Sequence, residues 1–192
     1  MSLKYKKLKK YFPAEILYSH FHNTKSVFLD SSLKNKYGKY SVIGLYPYLE
    51  VKESNNILKI NDKETKGNLL DFLDSYIKEN KQENNTELPI ISGAIGYLTY
   101  DYGRKFESIS SHNKEVNIPD ALFTFYDLYI IEDLEKREIY ISTQEKFNSI
   151  ENYENKIENI LNKNNISSDE NTIYNITSDF SKNGYLNAVE SM

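Results

Sequence analysis

The sequence contains no cysteine. Disulfides, thiolate zinc centres and a cysteine nucleophile are therefore excluded together. No apolar run approaches the roughly 20 residues that a membrane-spanning helix requires. The first segment, Met1 to Phe12, is basic, with lysines at 4, 6, 7, 9 and 10, but it lacks the apolar stretch of a secretory leader. It reads as a solvated lead-in. Net charge is −4 over 192 residues, so no global positive field recruits nucleic acid. Only three histidines occur, His20, His22 and His112, and no acidic residue sits at ligand spacing beside His20 and His22. No metal site is expected from them. These absences suit a cytoplasmic protein that contacts neither membrane nor nucleic acid.

What remains is a chain of moderate hydrophobicity, 39% apolar, enough for a core. A short helix is expected to open at Pro13-Ala14-Glu15-Ile16-Leu17, with proline in the first turn. Strands are expected over Ser26–Asp30 and Lys39–Leu45, separated by a polar loop from Ser31 to Gly38. Pro47 punctuates. Tyr48–Glu53 and Ile57–Asn61 alternate around Ser54-Asn55-Asn56, which predicts a hairpin with an asparagine turn. Asn68 caps a helix running to Lys78. Pro89 to Tyr100 reads as a long strand, and Ala121–Asp133 with Glu138–Ser142 as a second hairpin. Asn148–Leu161 is an amphipathic helix, and Asn162–Asn171 a loop. No repeat of 20 to 50 residues is present. Strands that come as hairpins, with few helices between them, predict an α+β fold: a largely antiparallel sheet with packed helices.

The densest stretch, Ser92 to Glu107 (SGAIGYLTYDYGRKFE), invites a search for a site. Gly93 and Gly96 lack the lysine and hydroxyl of a phosphate loop and sit inside a strand pattern. Close backbone approach explains them. Asp101, Arg104 and Glu107 are three apart, as a capping aspartate followed by an internal Arg104–Glu107 pair on one helical face would be. No Ser-His-Asp set is identifiable, and no carboxylate pair has an apolar setting that would raise a pKa. Residue chemistry alone describes a chain that binds or scaffolds. At the far end, Ser181 caps a helix whose apolar stripe, Tyr185, Leu186 and Val189, begins about two turns before Met192.

Taken in order, these segments resemble the N-terminal region of the chorismate-utilising enzymes, anthranilate synthase component I and aminodeoxychorismate synthase component I. Val27-Phe28-Leu29-Asp30-Ser31 resembles the family's "LLES" strand, and Lys39 to Pro47 its "RYSxIGxxP" segment. Ser92 to Glu107 resembles "GGxxGYxxYDxxRxxE", Pro119 to Asp127 "PDxxFxxYD", and Ser181 to Val189 the "SxxEYxxAV" at the start of the catalytic domain. Ser92, Asp30 and Gly184 depart from the family's glycine, glutamate and glutamate. A short lead without a Thr-Pro motif, and Gly103 before Arg104, are more similar to the aminodeoxychorismate branch. The resemblance implies a domain over residues 1–176, with residues 177–192 opening a second, chorismate-binding domain. It implies a parent enzyme that uses chorismate, Mg2+ and ammonia from a separate glutamine amidotransferase subunit to make 4-amino-4-deoxychorismate for folate synthesis. Its catalytic residues and metal ligands would lie in the second domain, so no catalytic residue is assigned here. It also implies half of a tryptophan pocket at Leu29, Asp30, Ser31, Lys39, Tyr40 and Ser41, with Asp30 facing the ammonium and Tyr40 walling the indole. An anthranilate synthase, an independent amino-acid-binding module and an amidotransferase-docking domain are the alternatives.

Overall fold

The computed structural model describes residues 3–21, 25–33, 35–107, 118–163 and 177–191. Two compact units are present, Met1–Asn162 and Lys163–Met192. The first contains the sheet. Its elements run β1 (Lys4–Lys7), α1 (Ala14–Ser19), β2 (Val27–Leu29), β3 (Tyr40–Ser54), β4 (Ile57–Ile60), β5 (Lys63–Thr65), α2 (Leu69–Asn80), β6 (Ala94–Leu98), a 3-10 turn (Tyr100–Gly103), α3 (Arg104–Glu107), β7 (Ala121–Asp133), β8 (Glu138–Thr143) and α4 (Ile150–Lys163). The second unit carries α5 (Lys182–Glu190), whose cap Ser181 accepts a hydrogen bond from the Gly184 amide at 3.1 Å. The expected domain boundary at 176/177 falls at the edge of residues 164–176, which lie outside the described residues, as does most of the loop expected over Asn162–Asn171.

Every recorded strand pairing is antiparallel. The spine is β3 against β7, paired from Tyr40↔Asp133 to Glu53↔Ala121. Both strands are long enough to serve two neighbours end to end. Along the far edge of β7, β8 pairs with Leu128–Asp133 and β6 with Ala121–Phe125. Along the far edge of β3, β2 pairs with Val42–Gly44 and β4 with Val51–Ser54. On one half, α1 and α4 cover Ile43, Leu45, Leu128, Ile130, Ile139 and Ile141. On the other, α2 covers Leu49, Val51, Leu58 and Phe125.

Pro47 does not end a strand. β3 runs through it, the register slips between Pro47 and Leu49, and Tyr46 turns to φ 58°. A β-bulge is where a sheet tolerates proline, because the missing donor is no longer called for. The expected strand from Pro89 contracts to Ala94–Leu98. Residues before it cross the sheet instead. Leu88 and Ile91 are buried against Val42, Tyr126, Tyr129 and Ile131. Ser142 Oγ donates to the Ile91 carbonyl and Tyr129 OH to the Gly93 carbonyl, each at 2.6 Å. The N-terminal lysines are not a free lead-in either. β1 is an edge strand on β8, and Lys4, Lys6 and Lys7 pair with Glu145, Glu154 and Glu138. The Asn55-Asn56 turn has φ of 49° and 62°, the primed geometry of a tight hairpin, and Asn61-Asp62 repeats it to add β5.

The β8–α4 connection is held by one buried carboxylate. Asp127 is fully buried and accepts from the Lys146 and Phe147 amides at 2.9 Å, Tyr153 OH at 2.8 Å and Thr143 Oγ1 at 3.2 Å. Burial, followed by this carboxylate, holds the Tyr153 hydroxyl well above its ordinary pKa.

Gly96 and Asp127 carry the expected weak points. A Cβ at Gly96 would lie 2.0 Å from the Leu122 carbonyl oxygen and 2.7 Å from Phe123 Cα, so backbone must move. Gly96→Ala is expected to cost about 2 kcal/mol in urea unfolding. Gly103→Ala, with open space around it, is expected to be neutral or stabilising by up to about 1 kcal/mol. Equal midpoints for the two would refute the close-approach reading. Asp127→Ala strands buried donors and should cost on the order of 3 kcal/mol, whereas Tyr153→Phe, which removes one bond, should cost about 1 kcal/mol. A smaller loss for Asp127→Ala than for Tyr153→Phe would show that the carboxylate is not the anchor.

Candidate functional site

β2 ends at Leu29, opposite Val42, and delivers Asp30 and Ser31 to the start of β3. There the chain closes a small polar clamp. Ser41 Oγ donates to Asp30 Oδ1 at 2.9 Å and accepts from the Ser31 amide at 3.1 Å. Ser31 Oγ donates to the Tyr40 carbonyl at 2.6 Å. Ser41 is fully buried, while Leu29 is 51% exposed. Asp30, Ser31 and Ser41 are therefore brought together as a unit. The Asp30 carboxylate is thereby oriented, and Oδ1 is engaged.

Tyr40 is placed differently. Successive side chains of a strand point to opposite faces, so the Tyr40 ring leaves on the side away from Ser41. It packs beside Val42, Leu88 and Ile131, and its hydroxyl lies 3.5 Å from the Glu87 carbonyl. Lys39 donates its amide to the Tyr37 carbonyl and lines an open depression of about 440 Å3 with Asn35, Lys36, Gly38, Leu134 and Glu135. The Asn35 side chain shapes that loop by accepting from the Tyr37 and Gly38 amides at 2.8 and 3.0 Å.

Two buried acids escaped the sequence reading, one beside the clamp and one at the far end of β3. Glu132 pairs with Ser41 across the sheet and is buried. Its Oε2 accepts from the Ala14 amide at 2.8 Å, at the start of α1, and its Oε1 from Tyr11 OH at 2.5 Å. Burial and the Glu132 carboxylate push the Tyr11 hydroxyl up to about 12. The one signal available was an acid inside the apolar run LYIIED. A second buried acid, Glu53, behaves similarly. It accepts from the Leu69 amide at 2.9 Å at the start of α2 and pairs with Lys105.

The glycine-rich stretch divides into β6, the 3-10 turn and α3. The expected Arg104–Glu107 pair is replaced by Arg104 Nε to Asp101 Oδ1 at 3.0 Å, and Asp101 is no cap, because it lies inside the 3-10 turn that Thr99 precedes. His20 Nδ1 lies 2.8 Å from the Ile16 carbonyl, and His22 and His112 fall outside the described residues. Among the described residues, no group of three or more histidines and acids is placed to hold a metal ion. A smaller cavity of about 130 Å3 lies on the other half of the sheet, walled by Tyr48, Tyr76 and Phe125.

The family model for chorismate binding enzymes matches residues 27–192. Anthranilate synthase component 1 of Lactococcus lactis subsp. lactis (strain IL1403) is 30% identical over 152 residues, 77% of this chain and 33% of that protein. Aminodeoxychorismate synthase component 1 of Bacillus subtilis (strain 168) is 30% identical over 112 residues, 55% of this chain and 24% of that protein. The solved anthranilate synthase component I from Streptococcus pneumoniae TIGR4 superposes with a TM-score of 0.55 at 24% identity, over 82% of this chain and 35% of that one, which shows a shared fold. The chain thus spans about a third, or less, of the length of these relatives. With the matched segment running from β2 through the clamp, the sheet and α5, the chain belongs to the family of chorismate binding enzymes.

Proposed function

We propose that the chain is the N-terminal portion of component I of an aminodeoxychorismate synthase. In this reading the parent enzyme combines chorismate with ammonia, delivered by a glutamine amidotransferase subunit, to give 4-amino-4-deoxychorismate for folate synthesis in the cytoplasm. The observation that carries it is the family match over residues 27–192, in a chain where three of the buried acids hold the fold together. Asp127, Glu53 and Glu132 each close a connection or a helix start. No described helix is long and apolar enough to cross a membrane. Catalytic groups and the Mg2+ ligands would then be supplied by the rest of the parent protein. The clamp of Asp30, Ser31 and Ser41 serves as half of a tryptophan-type site, with the free edge of the Asp30 carboxylate receiving the ligand's ammonium.

A second reading is the equivalent portion of anthranilate synthase component I. It is favoured by the extent of the matches, since relatives of that name align with 77% and 65% of this chain.

Both readings meet one experiment. The 192-residue chain, given chorismate, Mg2+ and ammonium, is expected to form no product. The component I polypeptide that contains it should form 4-amino-4-deoxychorismate, scored as p-aminobenzoate after a lyase is added. Anthranilate fluorescence in its place would establish the second reading, and turnover by the chain alone would overturn the first. For the clamp, calorimetry of the 192-residue chain with millimolar tryptophan should give no saturable heat. The component I polypeptide should bind tryptophan, and Asp30→Asn should weaken that binding at least tenfold. Unchanged binding in Asp30→Asn would remove the clamp from the site.

A further inference from the structure

At the β3 bulge, Pro47 pairs with Tyr126 and Leu49 with Phe125, so Tyr48 is the extra residue with no partner on β7. Side chains alternate between faces along a regular strand. Tyr48 and Leu49, though consecutive, both pack in the cluster that α2 covers. A bulge re-aims a side chain in this way. The re-aimed ring meets Phe125 from β7 at 6.2 Å between centroids, and Tyr76 from α2 meets the same Phe125 edge-on at 4.9 Å. These three rings wall the cavity of about 130 Å3. An apolar protein cavity of about 150 Å3 takes one benzene molecule, so this space is of one ring's size. Gly93 leaves its wall bare, since a Cβ there would meet no heavy atom within 4 Å.

The polar groups of the cavity are unspent. Gln82, Gln144 and Ser92 line it, and among the described residues their side chains make no hydrogen bond. Lys81 lines it too, and the Lys146 ammonium lies 4.4 Å from the centre of the Tyr48 ring. Neither lysine is ion-paired among the described residues, and no carboxylate belongs to the lining. Burial, then the Tyr76 hydroxyl beside it, holds the Tyr48 hydroxyl well above its ordinary pKa, so it stays a neutral donor. Ligand sites combine apolar and aromatic walls with a few placed polar groups. Ring walls favour a planar aromatic guest through offset and edge contacts. Free donors and two ammonium groups favour a negative, acceptor-only substituent and disfavour a cation. The larger depression beside Lys39 has no ring in its lining.

We propose that this cavity is a binding site, separate from the Asp30 clamp, for a small monocyclic aromatic carboxylate. The ring lies among Tyr48, Tyr76 and Phe125, and the carboxylate turns to Gln82, Gln144 and the two lysines. The site does not depend on which synthase the parent protein is. The test is ligand-observed NMR and calorimetry of the 192-residue chain with benzoate. Saturable binding is expected with a Kd of about 1 mM, ordinary for a ligand of this size. Cyclohexanecarboxylate keeps the charge and loses the aromatic ring, and should bind at least tenfold more weakly. Benzylammonium should not bind. Gln144→Lys should hold or tighten benzoate, and Gln144→Glu should weaken it at least tenfold. Both variants place a long charged side chain at the same position, so a merely structural effect moves them alike. Tyr76→Leu should erase the preference for benzoate over cyclohexanecarboxylate with an unchanged far-ultraviolet spectrum. No saturable binding up to about 10 mM overturns the proposal, as does equal affinity of the wild type for the two carboxylates. A common shift in Gln144→Lys and Gln144→Glu overturns it too. So does benzoate binding that is present in the 192-residue chain and absent from a longer component I polypeptide, which would assign the cavity to a side chain of that polypeptide.

Discussion

The β3–β7 ladder is the constraint on which the rest of the unit depends. Neither strand pairs with a single neighbour on its far side. Each carries two short strands end to end, so one continuous backbone pairing positions both halves of the sheet. The register slip at Pro47 lies between those halves. A bulge there bends the bulged strand and increases its twist, and separate helices then cover each half. Gly44, in the same ladder, leaves room for the Tyr126 ring, which a Cβ would meet at 2.6 Å from Cδ2. The spine's two irregularities are thus places where a standard residue or a standard pairing would have obstructed the packing of a neighbour.

Buried carboxylates do the joining. Asp127 gathers two amides and two hydroxyls at the entry to α4, Glu53 meets the α2 start and Lys105, and Glu132 meets the α1 start and Tyr11. A carboxylate at a helix start is favoured by the unsatisfied amides there. Removed from water, it must be fully partnered or it is costly. Acids committed in this way are poor candidates for proton transfer, because their hydrogen-bonding capacity is already used. The Asp30 clamp differs in kind. It lies at the β2 exit with Oδ1 engaged by Ser41, and its neighbour Leu29 remains half exposed.

Much of this was legible from residue patterns. The Asn55-Asn56 turn, the Asn68 cap, the β7–β8 hairpin and the Ser181 cap all rest on local chemistry, where a residue's own backbone preference or side-chain bond decides the outcome. The contribution of Gly96 was legible as a close approach, though not what it approached. The failures are non-local. Lys4, Lys6 and Lys7 look like a solvated tail until Glu138, Glu145 and Glu154 arrive from far along the chain. Pro47 looks like a stop because proline lacks a donor, and only the partner strand reveals that the ladder slips there. Pro89 to Gly93 reads as strand from its apolar content, but Ser142 and Tyr129 claim its carbonyls from the sheet below. In the candidate site, sequence order put Tyr40 beside Ser41, and strand alternation sends them to opposite faces.

The distribution of charge along the sheet edges follows the same logic as the distribution of buried acids. Where an edge has no further neighbour in this unit, as at β1 and β5, the strand is short and charged. Such an edge holds its place partly through surface ion pairs worth at most about 1 kcal/mol each, and repels a second strand. β6 lacks this treatment although it is held on one side only, and its exposed surface is aromatic and aliphatic. An apolar edge with a full set of outward hydrogen-bonding groups is stable in water only at a cost in both terms, hydration of the ring faces and competition of water for the amides. The asymmetry between β6 and the charged edges sits in the half of the sheet away from the Asp30 clamp, since β6 pairs with Ala121–Phe125 and the clamp lies opposite Glu132.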